Sequence, residues 1–440
     1  MSREIRAAAH GASWEGAPPR RSLVSRPILA SLVLLAACGT ERPCDVADLA
    51  PISRAPAFGV VLSDYASTAI ALLDERGEAI TESWIDSGTR ASGIAAGLGG
   101  DVVIVATPEP GTLALLERFN ADRLTLAEYA TGTVRQIDLR GDDPDAPSGH
   151  SPNVQDVLAV DGAIALVSRA NPSFHPDAPE LARGNDVVVV DVAQGVVLAR
   201  IDVAADTTAE DGTPIYARPT TLVPIAHPSG ARRVLVSLQR LSADFTLTGD
   251  GAVAVVDPDT RALTELVALE GLSGCHGARA IPGAPDRAMI LCTGDAFSPG
   301  LERRREAGIV RVAIDPDGRI TIDRAWRAAD HESAPSPTAG LVPLDASRAA
   351  YVADPRGESG RDVLALLDLD DASIAILLEA DASFVLGSGA LDPERGLLLV
   401  PDADARGVHR LDVHAEGATL RDFVLLPTCR TLPPREITQL

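Results

Sequence analysis

Short runs of aliphatic and β-branched residues recur along the chain, and each run is followed by an acidic residue, a turn and a second apolar run. The clearest copy spans residues 187–201, where four valines precede Asp191 and the second run follows Gly195. β-Branched residues favour half-buried strands, and two such runs around a turn are typical of an antiparallel hairpin. The pattern predicts a series of β-hairpins whose acidic residue caps the turn and takes no part in chemistry.

The acidic residue recurs seven times at an interval of about 56 residues, close to the length of one propeller blade. Its positions are Asp74, Glu128, Asp191, Asp257, Asp315, Asp368 and Asp412. Upstream apolar runs, such as 157–160 followed by 163–167, supply two further strands for each hairpin. The repeat therefore predicts an all-β fold, a seven-bladed β-propeller of four-stranded antiparallel blades that occupies residues 57–440.

The blade pattern also predicts which loops share a face. With strands A to D numbered from the innermost outward, the B–C and D–A loops emerge on one face and the tight A–B and C–D turns on the other. Three predicted B–C connections are long, at residues 168–186, 238–251 and 293–308. Loops longer than about 12–15 residues in a compact domain are commonly functional, so we expect the binding site on this long-loop face.

Arginines cluster where the predicted B strands enter the long-loop face. They are Arg118, Arg169, Arg240, Arg303, Arg304, Arg305, Arg356 and Arg406. Two interpretations stay open: a positive collar that binds a carboxylate, sulfate or phosphate, or solvated ion pairs with neighbouring acidic residues.

Three histidines fall in predicted D–A connections, just before an inner strand: His150, His276 and His331. With Asp156 or Asp64 they provide donors for a divalent metal such as Ca²⁺ or Zn²⁺, although isolated loop histidines are seldom ligands and we expect satisfied or exposed side chains. The candidate ligand residues of the long-loop face are therefore His150, His276, His331, Arg118, Arg169 and Arg240.

The N-terminus carries the marks of export. Three arginines precede an apolar stretch at residues 28–37, which ends in Leu-Ala-Ala before Cys38. A basic region, a short apolar core and small residues predict a signal peptide over residues 1–37. The apolar core is too short to span a bilayer, which needs about 20 apolar residues. The alternative is an ordinary secreted protein in which Cys38 has no special role.

The segment around Cys38 resembles a bacterial lipobox. This resemblance implies that Cys38 is diacylated, for example with palmitate, and becomes the first residue of an anchor and linker over residues 38–56. We therefore expect a lipoprotein of the bacterial cell envelope. Gly39 follows the cysteine, which favours the outer membrane over the inner one.

Four further cysteines are present, an even number that favours disulfides in an exported protein. Cys275 and Cys292 flank a predicted hairpin whose turn lies at residues 282–286, so we expect them to pair. Cys44 and Cys429 lie near the two ends of the mature chain, where the ring must close, and are predicted to form a second bridge. Free buried thiols and the other pairings of four cysteines stay open.

The formal net charge of −23 argues against nucleic-acid binding and against attraction to anionic lipid head groups, so only the anchor is expected to contact the membrane. No H-E-x-x-H, C-x-x-C, P-loop or G-x-S-x-G motif occurs in the sequence. The sequence therefore identifies no catalytic residue and no cofactor.

The strand pairs around Asp191, Asp257 and Glu128 resemble those of the YVTN or lactonase-like seven-bladed propellers of bacterial envelope proteins. The Tyr-Val-Thr-Asn signature itself is absent, and residues 351–354 come nearest to it. From the anchor, the repeat and the lack of motifs we expect a non-catalytic binding or assembly module for an unknown protein or a small anionic ligand. The resemblance implies an alternative, a metal-assisted hydrolase of the lactonase or gluconolactonase type, and an extracellular adhesin is a third hypothesis.

Overall fold

The computed structural model describes residues 49–107, 109–141, 149–203, 205–295, 300–332, 334–354, 360–426 and 431–440. Within these ranges the chain forms seven four-stranded sheets, one three-stranded sheet and one short α-helix. All strand pairs of the sheets are antiparallel. The predicted all-β fold of four-stranded antiparallel blades is confirmed.

In the first half of the chain, consecutive strands form sheets that follow one another in sequence order. Sheet 1 contains β1 (Phe58–Ser63), β2 (Thr68–Leu73) and β3 (Ala79–Asp86). Sheet 2 contains β4 (Val102–Val105), β5 (Thr112–Glu117), β6 (Arg123–Glu128) and β7 (Val134–Asp138). Sheet 3 contains β8 (Val154–Ala159), β9 (Ile164–Arg169), β10 (Asp186–Asp191) and β11 (Val196–Ile201). The small sheet begins with β12 (Thr207–Thr208) and β13 (Pro214–Tyr216).

The second half repeats the arrangement. Sheet 4 contains β14 (Pro219–Ala226), β15 (Arg232–Leu238), β17 (Asp250–Asp257) and β18 (Ala262–Ser273), while β16 (Leu241–Ser242) completes the small sheet. Sheet 5 contains β19 (Cys275–Ile281), β20 (Ala284–Thr293), β21 (Ala307–Ile314) and β22 (Ile320–Arg327), with helix α1 (Gly300–Glu306) between β20 and β21. Sheet 6 contains β23 (Ser336–Pro343), β24 (Arg348–Asp354), β25 (Val363–Asp368) and β26 (Ile374–Glu379). Sheet 7 contains β27 (Ala390–Asp392), β28 (Leu397–Asp402), β29 (Gly407–His414) and β30 (Gly417–Leu425), and β31 (Pro434–Gln439) returns to complete sheet 1.

The buried apolar side chains close these sheets into a ring. Seven hydrophobic clusters of the described residues each lie between two consecutive sheets, and one of them joins sheet 7 to sheet 1. Successive side chains of a strand point to opposite faces of its sheet. The aliphatic residues of each strand therefore pack against both the preceding and the following sheet. This arrangement is that of a β-propeller.

The ring closes through hydrogen bonds between the two ends of the chain. Strand β31 pairs with β1, with Val60 opposite Ile437, and forms the inner edge of sheet 1. The inner strands of the seven sheets are β31, β4, β8, β14, β19, β23 and β27. Each of them begins on the long-loop face and runs toward the tight turns, so residues early in these strands share one end of the central channel.

The acidic residues cap the C–D turns as predicted at six positions. The Oδ1 atom of Asp74 accepts the backbone N–H groups of Arg76 and Glu78 at 2.8 and 3.0 Å. Asp191, Asp257, Asp315 and Asp368 accept turn backbone N–H groups in the same way, whereas the Glu128 carboxylate accepts the hydroxyls of Thr131 and Thr133. The prediction for Asp412 is wrong: it lies inside β29, which continues to His414 before the turn.

The long B–C loops occur where the sequence placed them. They span residues 170–185, 239–249 and 294–306, between the B and C strands of sheets 3, 4 and 5. They contain the 3₁₀ helix Glu180–Ala182, strand β16 and helix α1, and a second 3₁₀ helix, Ala328–Asp330, precedes β23. The sequence predicted none of these short elements. Across the described ranges, no helix has the length and apolar character needed to cross a membrane.

The predicted disulfide between Cys275 and Cys292 is confirmed. The two residues are directly opposite each other in the β19–β20 ladder, with 3.9 Å between their Cα atoms. Cys38, Cys44, Cys429 and Arg356 lie outside the described residues, so the lipidation site and the second bridge stay predictions.

Candidate functional site

Charged and polar side chains meet at the long-loop end of the central channel. Three of them stand near the start of inner strands: Asp156 in β8, His276 in β19 and Glu436 in β31. The charge of Arg279, further along β19, acts on all three. Together with Arg118 and Arg303, whose charges also reach His276, these six residues are called the channel cluster.

Asp156 is held by backbone donors from two neighbouring sheets. Its carboxylate accepts the N–H groups of Val157 and Leu222, both at 2.8 Å. Burial raises the pKa of Asp156 to about 6, against the opposing effects of the Leu222 N–H and the charge of Arg279. A carboxylate with this pKa exchanges its proton near neutral pH, which an ordinary aspartate does not do.

The imidazole of His276 has a defined tautomer. Its Nδ1 lies 2.8 Å from the carbonyl oxygen of Gly274, which only accepts, so Nδ1 carries the ring proton. Burial lowers the pKa of His276, and the positive charges of Arg279, Arg303 and Arg118 lower it further. The ring is therefore neutral at pH 7, and its Nε2 lone pair makes no hydrogen bond within the described part of the chain.

A local irregularity places this imidazole at the channel. The β19–β20 register shifts between Cys275 and Gly277, so His276 is left out of the ladder. The hydroxyl of Thr221 in β14 donates to the His276 carbonyl at 2.6 Å and accepts the Ala278 N–H at 3.3 Å. Side-chain bonds from the neighbouring sheet thus replace the missing ladder bond.

Two arginines of the channel cluster keep donors free for a ligand. Arg279 is exposed to the channel, and its one hydrogen bond among the described residues goes to the Ala278 carbonyl at 3.0 Å. Arg303 donates from Nε to the Thr293 carbonyl at 2.9 Å. Neither forms an ion pair within the described ranges, whereas Arg118 pairs with Asp101 at 2.6 Å. Guanidinium groups with open donors are suited to bind a carboxylate or phosphate.

Glu436 completes the negative side of the cluster. Burial raises the pKa of its carboxyl, the nearby charge of Asp156 raises it further, and Arg118 and Arg279 oppose both effects. Its one hydrogen bond among the described residues is a long one of 3.4 Å from the Thr438 hydroxyl. The pKa values of the Asp156 and Glu436 carboxyls are therefore raised while that of the His276 imidazole is lowered, and the charge of the site depends on pH.

Four of the six residues predicted from the sequence make contacts outside the channel cluster. Arg169 is fully buried in an ion pair with Asp186, and Arg240 donates to the Thr207 hydroxyl at 2.6 Å. The Nε2 atom of His150 lies 3.3 Å from the Asn171 carbonyl, and the His331 ring stacks on Trp326 with 5.9 Å between centroids. Of the predicted set, the structure brings together His276 and Arg118, and it adds Asp156, which was considered only as a metal donor. Asp64, the other acid considered with the histidines, caps an exposed turn through the Ala66 and Ser67 N–H groups.

Sequence reasoning missed Arg279 and Glu436. Both are charged residues within short inner strands, and Arg279 interrupts the run 278–281 that was interpreted as apolar. An arginine three residues after His276 in a predicted inner strand was the available signal. The signal at Glu436 was weaker, because residues 434–439 contain one aliphatic side chain, that of Ile437, and the sequence did not predict a strand there.

Exposed aromatic side chains lie on the same face of the ring as the channel cluster. Five of them lie in loops of the long-loop face: Tyr65, Phe119, Phe174, Phe245 and Phe384. Arg435, next to Glu436, lies 5.3 Å from the Tyr65 ring and donates to the Phe384 carbonyl at 3.1 Å. Tyr65 and Phe384 have φ values of 66° and 59°, a strained conformation for large residues, and such strain is concentrated at functional sites.

The donors of a metal ion are not grouped in this site. Within the described residues, no three His, Cys, Asp or Glu side chains are arranged to hold a metal ion. Among the described residues, the channel cluster therefore presents no set of three grouped metal ligands.

Comparisons with known proteins agree on the fold. No protein-family model matches the chain, and no curated protein matches it. Among solved structures, the chain is similar to a proposed 6-phosphogluconolactonase of Bacteroides uniformis, at 14% identity and a TM-score of 0.53 over 88% of this chain and 99% of that one. It is similar to the periplasmic gluconolactonase of Pseudomonas aeruginosa, at 14% identity and a TM-score of 0.53 over 87% and 98% of the two chains. A β-propeller domain from Myceliophteria thermophila matches at 12% identity and a TM-score of 0.51, over 82% and 98% of the chains. The chain has the fold of the lactonase-like β-propellers.

Proposed function

We propose that the channel cluster binds a small organic anion and that the chain works as a binding module of the bacterial envelope. The observation that carries this proposal is the pair of guanidinium groups, Arg279 and Arg303, which keep free donors beside the neutral imidazole of His276. The carboxylate of a ligand placed there accepts hydrogen bonds from both arginines, and a hydroxyl group of the same ligand donates to Nε2 of His276. A hydroxy acid such as gluconate combines both features.

The anchor at Cys38 is part of this proposal. The described segment nearest to it crosses the tight-turn face: the Ile52 N–H donates to the Tyr129 carbonyl at 2.7 Å, and Arg54 pairs with Asp74 at 3.0 Å. These contacts hold Ile52 and Arg54 on the tight-turn face, opposite the long-loop face that carries the channel cluster. Metabolic labelling with palmitate in the native host, comparing the full chain with Cys38→Ala, tests the anchor. Equal labelling of both proteins rejects it.

Binding is tested by calorimetry of the purified full chain with gluconate, citrate and inorganic phosphate. Arg279→Gln removes charge-assisted hydrogen bonds, so we expect gluconate affinity to fall about tenfold to hundredfold. Arg76→Gln is the matched control, because Arg76 is an exposed arginine of a C–D turn on the opposite face. Failure of the native chain to bind any of the three anions at millimolar concentration rejects the proposal, as does an unchanged affinity of Arg279→Gln.

A second candidate function is lactone hydrolysis without a metal. It is favoured by the free Nε2 of His276 beside Arg279, with Asp156 titrating near pH 6, and by the gluconolactonases among the structural neighbours. In this reaction Nε2 takes a proton from water, the water oxygen adds to the lactone carbonyl, and Arg279 stabilises the oxyanion. The ring C–O bond then breaks, and the leaving oxygen takes the proton back from His276 to give the hydroxy acid.

The hydrolysis of glucono-δ-lactone separates the two candidates. A hydrolase accelerates ring opening above the rate in buffer, and His276→Gln reduces this acceleration by about 10²-fold or more. A binding module binds gluconate and leaves the buffer rate unchanged.

A further inference from the structure

The disulfide of sheet 5 stands directly beside two residues of the channel cluster. Cys275 immediately precedes His276, and Cys292 immediately precedes Thr293, whose carbonyl holds Arg303. Both cysteines are fully buried. The bond therefore joins the strand that carries His276 to the strand that orients Arg303.

The link between the disulfide and the imidazole passes through one carbonyl group. Gly274 alone connects sheet 4 to sheet 5, and it adopts a left-handed φ of 60°. Its carbonyl accepts His276 Nδ1 at 2.8 Å, the Thr293 N–H at 3.2 Å and the Thr293 hydroxyl at 3.4 Å. The group that fixes the tautomer of His276 is thus held from the β20 side of the disulfide.

The backbone packs closely around the disulfide. A Cβ atom on Gly251 in β17 would lie 2.3 Å from Sγ of Cys275, so glycine is required for the disulfide to fit against sheet 4. A Cβ atom on Gly294 would lie 2.2 Å from the carbonyl oxygen of Arg303. Backbone segments on both sides of the bond are therefore packed too closely to shift independently.

We propose that the Cys275–Cys292 disulfide is a positioning element of the anion site, an inference that rests on the proposed function. It fixes the Gly274 carbonyl and the Thr293 carbonyl, and through them the imidazole of His276 and the guanidinium of Arg303. The bond forms when both thiols are oxidised by exchange with a disulfide-bearing oxidant of the exported compartment, which is reduced to its dithiol as two protons and two electrons are transferred. The site consequently reaches full affinity only after export.

The test replaces Cys275 and Cys292 by alanine in the full chain, with Cys44→Ala/Cys429→Ala as the matched control. We expect the Cys275/Cys292 variant to bind gluconate at least tenfold more weakly, and the control to bind as the native chain does. Imidazole ¹⁵N resonances of His276 provide a second readout: the native ring shows one protonated nitrogen, Nδ1, and the variant shows a mixture of tautomers. Circular dichroism verifies that the variant is folded.

A second variant, Cys275→Ala/Cys292→Val, fills the space of the sulfur atoms if the first variant does not fold. Unchanged affinity and an unchanged tautomer in either folded variant overturn the inference. If the native chain binds no anion, the proposed function fails, and the tautomer measurement still decides whether the disulfide positions His276.

Discussion

Asp156 sets the charge of the channel cluster near neutral pH, because burial raises its pKa to about 6. Its carboxylate interacts with the charge of the Arg279 guanidinium. The ionised carboxylate repels an anion, and its protonation removes that repulsion. We expect gluconate to bind more tightly as the pH falls from about 8 to about 5. In Asp156→Asn the affinity at about pH 8 rises to the low-pH level, and the pH dependence flattens. Calorimetry of both proteins over this range checks the prediction, and parallel pH profiles contradict it.

The same residue makes stability depend on pH. Its folded pKa lies above the unfolded value of about 3.9, so the folded state binds more protons between these two values. The contribution of Asp156 is complete below about pH 4 and is lost as the pH rises through about 6. Relative to Asp156→Asn, we expect the native chain to lose up to about 3 kcal/mol of unfolding free energy between these limits. Urea unfolding at several pH values measures the difference, and a constant gap between the two proteins excludes this linkage.

The sequence predicted part of the site at the scale of single residues. His276 and Arg118 border loops, where a polar side chain stands out against the apolar strands, and both were candidates. Arg279 and Glu436 lie within strands, and they meet only because β19 and β31 begin on the same face of the ring. That meeting depends on the pairing of the two chain ends, which no local pattern contains.

At the scale of elements, a buried ion pair holds the exit of β9 to the start of β10. Arg169 donates to both carboxylate oxygens of Asp186 at 2.7 and 2.8 Å, and Arg200 donates to the same carboxylate at 2.7 Å. Removing one member of a buried pair leaves an uncompensated charge. We expect Arg169→Met to lower the free energy of unfolding by about 3–5 kcal/mol.

The control for this prediction lies in the same loop. Arg183 pairs with Glu180 at 3.1 Å at the surface, so Arg183→Met is expected to change stability by less than about 1 kcal/mol. The double variant Arg169→Met/Asp186→Leu removes both charges and regains part of the loss. Urea unfolding measures all three, and equal effects of Arg169→Met and Arg183→Met contradict the assigned role.

Elements were predictable where the signal is local. Hairpins with an acidic turn residue were recognised because two apolar runs and their turn lie within about 15 residues, and the Asp side chain caps its own turn. Asp412 was misplaced since it follows an apolar residue and precedes Gly417, as a turn acid would, whereas it lies inside β29 and pairs with Arg421 of the next strand. Strands β12, β13 and β16 have two or three residues each and form a sheet from two separate loops, so no periodicity reveals them.

At the scale of the whole molecule, the pairing of β31 with β1 makes every interface between sheets part of one closed ring. Ile437 is 2% exposed and packs between sheets 7 and 1. Ile437→Ala leaves a cavity that we expect to cost about 2–4 kcal/mol. Leu440→Ala is the control, because Leu440 is 40% exposed in the same terminal segment and its truncation is expected to cost about 0.5 kcal/mol or less.

Closure of the ring also predicts which interfaces between sheets lose stability in Ile437→Ala. Trp84 lies between sheets 1 and 2, in the outer strand of the sheet that β31 completes, whereas Trp326 lies between sheets 5 and 6. In a closed ring both interfaces depend on the same seam, so Ile437→Ala should shift the unfolding transitions of both tryptophans by the same amount. Each is followed by fluorescence in a variant that carries phenylalanine at the other tryptophan and at Trp14. A shift confined to Trp84 would mean that the sheets unfold as independent neighbours, as in an open array.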